Sequence, residues 1–482
     1  MISREGLEML RQLREADRAF GDPNSPFNLA GLKQNITVRA MPASSDVKCL
    51  QLRIDDIPAE WVVAPGADPD LRLLYLHGGG FVSGSGGTRI AYVIVDLIGL
   101  LRKEGDKAVK LASIKTGIPQ ENIVWAASHT HSGPYTLRIF GEESVINKKW
   151  LATIPEKIAE CVARADKLKT PALMSRTRGY CTQVQTNRRF RFKDGREINH
   201  WLINRGEDEL QCVGAASPID PEIGIISFED LKGRLMAVLF HFTMHANTNF
   251  CEYFSGDYPA VVAARLAEKY GKQCLTLFMP GASGDINPGG GIAGYRNIGN
   301  ILADTIISKL DSRRPFAGKV PVGAVKREVI VPYRDLDVDQ KKRIRDSLGA
   351  RRDEYSERVE KVFLKELEIM RKEGTRETAT VLQAWRIGEI GFASLPGEPF
   401  VEWGIKIKQE SPFPWTYPVE LGGDYLGYLV TEKAWQAGGY ESLICSTAKP
   451  SVEGVVSLVD NALEMLNELY RQKNNKRGVH VR

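Results

Sequence analysis

The strongest constraint on this chain is a series of apolar runs, each closing in a loop rich in histidine, glycine or aspartate. Examples are "ENIVWAASHTHSGP", "RLMAVLFHFTMHANT" and "CLTLFMPGASGDINP". Apolar runs bounded by turn-forming residues read as buried strands. Between them, "WLATIPEKIAECVARADKL" and "PAVVAARLAEKYG" carry helical periodicity. Strands alternating with helices predict an α/β architecture, with mixed sheets, flanking helices and functional residues in the loops at strand ends. Further strands are expected at "NITVRAM", "VKCLQLRI", "AEWVVAP", "LRLLYLH", "RIAYVIVDLIGLL", "EIGIISFED", "TATVLQAWRIG" and "EIGFASLPGE". Residues 1–20 read as a helix, and another is expected from Glu398. Residues 338–373 form a charged helical segment whose stripe of Val359, Phe363, Leu367 and Met370 reads as one buried face.

Composition excludes several classes of protein. The net charge is +5 over 482 residues, with Lys and Arg interleaved among Asp and Glu, so no nucleic-acid footprint is expected. The seven cysteines are scattered and never form CxxC, which predicts a reducing compartment and no thiolate zinc site. No apolar window has the length of a membrane span, and the charged N-terminus lacks the pattern of a secretion signal. A cytoplasmic protein without a membrane anchor is the expectation; a homo-oligomer is left open.

"YLHGGGFVSGS", residues 75–85, reads as a strand ending in a glycine loop. HGGG after a strand is the oxyanion-hole loop of lipase-type α/β-hydrolases. Up to about residue 86 the chain resembles the N-terminal part of hormone-sensitive-lipase-like esterases. A serine esterase also needs a G-x-S-x-G nucleophile elbow, and the nearest match, "GASGD" at 281–285, ends in Asp. The segment is therefore expected to serve as scaffold or lid.

The histidines point to different chemistry. "SHTHSGP" sets His129 and His131 two apart at a strand end, where extended backbone projects both side chains from one face. A second apolar run ends at His245, while His241 lies within it and reads as a core histidine. Neutral imidazoles at two strand ends suggest a divalent metal. Asp257 and Asp285, in "SGDYPA" and "GASGDINP", are either ligand-orienting carboxylates or turn residues.

From about residue 87 onward the chain resembles the neutral/alkaline ceramidase family of zinc amidases. The resemblance rests on "AYVIVDLIGL", "GIPQENIVWAASHTHSGP", "NRR", "FTMHANT", "SGDYPA", "FMPGASGDINP", "SLPGEPFVEWG" and "GYLVTEKAWQAGGYE", in family order. It implies two regions, an esterase-like segment 1–86 and a hydrolase domain 87–482. It also implies one Zn2+ per chain, held by His129, His245, Glu398 and Tyr428, with Glu402 as rival carboxylate. His131, Tyr440 and Arg188 fall on the family's remaining active-site positions. The implied reaction is hydrolysis of a linear amide by a metal-bound hydroxide, with His131 or Tyr440 polarising the carbonyl oxygen and His131 delivering a proton to nitrogen.

Three departures shift the expected substrate. The N-terminal segment differs, Asn287 stands where ceramide-cleaving members carry a serine, and the secreted members' C-terminal β-domain has no room. A small to moderately apolar N-acyl or aryl amide is expected rather than a membrane sphingolipid. A zinc esterase, lactonase or carbamate hydrolase on the same scaffold is the alternative, and a serine esterase using the HGGG loop is the remaining one.

Overall fold

A computed structural model describes residues 88–139, 146–203, 211–249, 254–289, 291, 294–316, 320–348 and 353–472 with their side chains. It adds the backbone of 48–54, 57–63, 80–85 and 473–477. The helix expected over 1–20, the strands expected at "NITVRAM" and "LRLLYLH", and residues 77–79 of the HGGG loop lie outside the described residues.

The chain divides into two units, Met1–Leu76 with Phe250–Phe254, and the remainder. In the first, β1 (Lys48–Ile54) and β2 (Ile57–Val63) pair as an antiparallel hairpin from Lys48↔Val63 to Ile54↔Ile57. In the second, β3 (Gly80–Ser85) pairs antiparallel with β4 (Thr88–Val95). The "GFVSGS" stretch is thus strand rather than loop, because pairing to β4 satisfies its backbone. β4 pairs parallel with β5 (Ile123–Ala127), and helix α1 (Arg102–Thr116) connects the two.

Two larger sheets carry the core. One has the order β13-β12-β11-β6, from β6 (Leu173–Tyr180), β11 (Glu222–Glu229), β12 (Leu235–Phe242) and β13 (Leu275–Pro280), with only β12 and β13 parallel. The other has the order β15-β16-β17-β19, from β15 (Val322–Pro332), β16 (Glu377–Ile387), β17 (Ile390–Leu395) and β19 (Trp415–Glu420). Smaller pairings join β7 (Gln185–Asn187) to β14 (Ile286–Pro288), and β8 (Arg189–Phe192) to β9 (Glu197–Asn199) and β10 (Cys212–Ala215).

Strand alternation explains the layering. Along β12, Val238, Phe240 and Phe242 join a core with Val262 and Leu266 of α3 (Asp257–Tyr270) and Leu302 and Ile306 of α4 (Tyr295–Leu310). Ala237 and Leu239 instead join Trp385, Phe392 and Tyr417 of the second sheet. The second sheet's outer face, including Leu382, Ala384 and Leu395, packs on Val455, Leu458 and Leu466 of α8 (Val452–Arg477). The helices therefore flank two facing sheets, which is why the core strands are apolar on both sides. Helix α2 (Ile154–Lys167) packs against α1.

Two helical expectations are corrected. The segment 338–373 is two helices, α5 (Gln340–Ser347) and α6 (Glu354–Glu373). The second starts afresh at a capping box, where Asp353 Oδ1 accepts from Ser356 N and Ser356 Oγ from Asp353 N, both at 3.0 Å. Phe363, Leu367 and Met370 are buried on its inner face. Glu398 does not open a helix. Glu398–Pro399 forms the short strand β18, parallel to β20 (Tyr428–Leu429), and α7 (Val401–Glu410) begins only after Phe400. No described helix is long and apolar enough to cross a membrane. Cys161, Cys181, Cys212, Cys274 and Cys445 are free thiols.

Trp385 is fully buried and stacks on Phe392 at 5.1 Å between ring centroids in the layer between the two sheets. Trp385→Ala should lower unfolding free energy by about 3–5 kcal/mol in urea titrations; a loss below about 1 kcal/mol would contradict this account of the core.

Candidate metal centre

His129, His131 and His245 form a compact group whose ring nitrogens lie within 4.8 Å of one another. His129 follows β5 and has a left-handed φ of 62°, a conformation that L-residues adopt at a cost. That turn corrects the reading of the H-x-H pair as extended strand. β5 ends at Ala127, and the two rings converge by backbone reversal, with Nε2 atoms 3.4 Å apart. The backbone holds the turn through Ser128 N to Val95 O at 2.9 Å, His129 N to Leu97 O at 3.0 Å and His131 N to Ala246 O at 3.2 Å.

Two of the imidazoles are locked in orientation. His129 Nδ1 donates to Ile98 O and His245 Nδ1 to Ser283 O, each at 2.7 Å. These bonds place both protons on Nδ1 and leave each Nε2 a bare acceptor. Both Nε2 atoms lie 3.3 Å from the same atom, Oε2 of Glu398.

Glu398 is 1 % exposed, and its Oε2 accepts no hydrogen bond, although Oε1 accepts from Tyr425 Oη at 2.8 Å. A buried carboxylate oxygen facing two bare imidazole nitrogens has no donor to satisfy it, a costly arrangement unless a cation sits among them. Nitrogen and carboxylate donors of this kind suit a divalent transition ion such as Zn2+. The residues present therefore fit a metal.

The electrostatics show what this point of the structure demands: burial lowers the pKa of His129, but the Glu398 carboxylate outweighs burial and raises it, so a positive charge is favoured here. Burial raises the pKa of Glu398, but His129 and His245 outweigh it and hold the carboxyl well below its ordinary range. His245 is pushed down to about 4, first by burial and then by Arg188. His131 is lowered well below its ordinary value by burial and by its two histidine neighbours. Burial raises Tyr428, with Glu398 adding to the effect and Arg188 opposing it.

The remaining residues named from sequence gather around this cluster. Tyr428 is the direct pairing partner of Glu398 across β18–β20. Arg188, 3 % exposed, sits between β7 and β8 with Nη1 3.2 Å from both His245 Nε2 and Asn287 Oδ1. Its guanidinium lies 5.2 Å from the centre of the Tyr428 ring. Tyr440 packs edge-on against Tyr428, Trp201 and Phe363, with centroids 5.7–5.8 Å apart.

Other candidates fall outside it. His241 is a core residue whose Nε2 donates to Pro418 O at 2.8 Å. Asp257 accepts from the backbone of Thr248 and Asn249, each at 2.8 Å, and so serves its loop. Asp285 joins Asn187 Nδ2 at 2.6 Å to Val401 N at 2.8 Å, fixing the start of α7 beside Glu398. Glu402 accepts from Ser217 Oγ at 2.8 Å. Ser283 of "GASGD" is fully buried and donates to Glu420 Oε1 at 2.7 Å, so it is not an exposed nucleophile. The next residue, Gly284, must lack a side chain, since a Cβ there would lie 2.3 Å from Glu398 O.

Tyr425, Asn199, Glu420 and Glu441 are contributors that sequence reasoning passed over. Their roles depend on contacts across the fold, and only the adjacency of Glu441 to Tyr440 in "GGYE" gave a local signal.

No family model matches the sequence. Over 174 residues the chain is 28% identical to neutral ceramidase of Pseudomonas aeruginosa, a match covering 34% of this chain and 23% of that protein's length. The crystal structure of neutral ceramidase from P. aeruginosa superposes with a TM-score of 0.59 at 18% identity, over 80% of this chain and 67% of that one. A ceramidase complexed with C2 gives 0.59 at 17% identity, over 81% and 69%. The mixed α/β fold is thus shared with neutral ceramidase, alongside a weak sequence similarity.

Removing the hydroxyl that orients Glu398, by Tyr425→Phe, should weaken metal binding roughly 10–100-fold in chelator competition while leaving the melting temperature nearly unchanged. Unchanged affinity would contradict the role given to this hydrogen bond.

Proposed function

We propose that this protein is a metal-dependent hydrolase that cleaves linear amide bonds of small to moderately apolar N-acyl or aryl amides. The observation that carries the reading is Glu398 Oε2, buried without a donor between two imidazoles whose other nitrogens are already committed. The fold shared with neutral ceramidase supports it. His129, His245 and Glu398 would hold the ion, Zn2+ by the character of the donors, with Tyr428 as fourth ligand. When bound, such an ion acts as a Lewis acid and lowers the pKa of a water from about 15.7 to near 7.

The protein's own groups supply the rest. His131, kept neutral first by burial, takes the proton of the attacking water at Nε2 and returns it to the departing nitrogen. Tyr440 offers a phenolic O–H to the carbonyl oxygen, as its pKa, raised well above the ordinary value by burial, keeps it protonated. Arg188 places a fixed positive charge beside His245, where it favours negative charge developing on that oxygen.

Two features support a substrate other than a membrane sphingolipid. The sequence up to about residue 86 resembles esterases rather than ceramidases, and Asn287 engages Arg188 at 3.2 Å where the resemblance implies a serine in ceramide-cleaving members. An ester, lactone or carbamate presents the same acyl carbon, and paired ester and amide analogues of one acyl group separate these readings.

His129→Ala should remove stoichiometric metal together with turnover. His131→Ala should keep the metal and lower kcat roughly 100–10,000-fold, the range for a lost general acid–base group. Full turnover in His129→Ala would sink the proposal, and loss of metal in His131→Ala would exchange the two roles.

A further inference from the structure

Beneath Arg188 and Tyr440 lies a buried ionic network. Glu441 is fully buried and uses its two oxygens differently. Oε1 accepts from Arg188 Nε and from Asn199 Nδ2, both at 2.7 Å, while Oε2 accepts from Arg189 Nη1 at 2.6 Å. The same Asn199 accepts at Oδ1 from the backbone N of Tyr440 at 2.9 Å. One carboxylate is therefore connected to Arg188 directly and to Tyr440 both through Asn199 and as its chain neighbour. Arg189 closes the network on the far side, reaching Glu197 Oε2 through Nε at 3.0 Å and Nη2 at 2.8 Å, and Gly438 O at 2.6 Å.

The local chain is shaped to this arrangement. Gly439 has φ 87°, and a Cβ there would lie 2.4 Å from Arg189 Nη1, so the second glycine of "GGYE" lets the arginine pass. Arg334 Nη1 donates to Glu441 O at 3.0 Å, and Asp285 O accepts from Arg188 N at 2.9 Å. Buried ion pairs seldom stabilise more than well-packed apolar residues of the same volume, so stability alone gives a weak account of two arginines on one carboxylate. What the arrangement supplies is a fixed geometry. Arg188 and Tyr440 are 252 positions apart in the chain, and Glu441 joins their two segments.

We propose that Glu441 is a positioning residue that sets the placement of Arg188 and Tyr440 relative to each other and to the histidine cluster. Its catalytic consequence rests on the amide-hydrolase reading above. Glu441→Gln preserves the shape but leaves one acceptor oxygen where the carboxylate has two, so one arginine loses its partner. Glu197→Gln removes a charge from the same network without touching Arg188.

In the metal-loaded protein, Glu441→Gln should lower kcat roughly 10–100-fold, with metal content retained and KM little changed. Glu197→Gln should keep the parent kcat. Glu441→Asp retains the charge but is one methylene shorter, so it should lose turnover as Glu441→Gln does, and it serves if the latter fails to fold. Full activity in the Asp variant, or equal loss of kcat in Glu197→Gln, overturns the proposal. Crystal structures give a readout independent of turnover: Arg188 should be displaced in Glu441→Asp, whose shorter side chain draws both oxygens back, and unmoved in Glu197→Gln. An unmoved Arg188 in Glu441→Asp overturns the proposal too. A parent protein with no metal-dependent amide turnover would sink the functional reading, and the crystallographic comparison would still decide this one.

Discussion

Three acceptors with no donor among them organise this protein's centre. His129 Nε2 and His245 Nε2 each lie 3.3 Å from Glu398 Oε2, deep in the structure. Each is held there by a second bond. The imidazoles donate to Ile98 O and Ser283 O, and the carboxylate accepts from Tyr425. Held acceptors cannot turn away from one another, so the site retains an electrostatic demand that a cation meets. Arg188 answers part of that demand from the side, through its approach to His245 Nε2.

The fold exists around this point in a specific sense. β5 and β12 end shortly before His129 and His245, β17 ends three residues before Glu398, and Ser283 is bound to Glu420 at the end of β19. The loops that carry these side chains thus leave the ends of strands in several sheets, where a rigid scaffold fixes loops that need not be regular themselves. The left-handed turn at His129 and the short β18–β20 pairing are the local departures that bring the side chains the final distance. Backbone strain at such a position fits a site whose geometry is fixed by its surroundings.

How much of this was legible in the sequence differs from residue to residue. The core strands were readable because burial on both faces leaves a continuous apolar run, as in β12. The histidine pair was visible as a pattern, but the reason assigned to it was wrong, because a left-handed residue cannot be told from an extended one by spacing. Glu398 carries no local signal of ligation and entered only through the family resemblance. Its placement by strand pairing, rather than at a helix start, depends on Tyr428, thirty positions away. Tyr425 and Asn199 give no sign because their roles arise from contacts across the fold, and Glu441 shows only its adjacency to Tyr440: in a linear reading, a buried carboxylate neutralised by distant arginines looks like any surface glutamate.

The central claim is that the acceptor cluster holds a catalytic divalent ion. It is tested most directly by elemental analysis of the purified protein coupled to a chelate-and-restore assay on paired amide and ester substrates. The account predicts one divalent ion per chain, loss of amide hydrolysis on chelation, and recovery on adding back Zn2+. A protein that hydrolyses the same amides at full rate with no bound metal would contradict it.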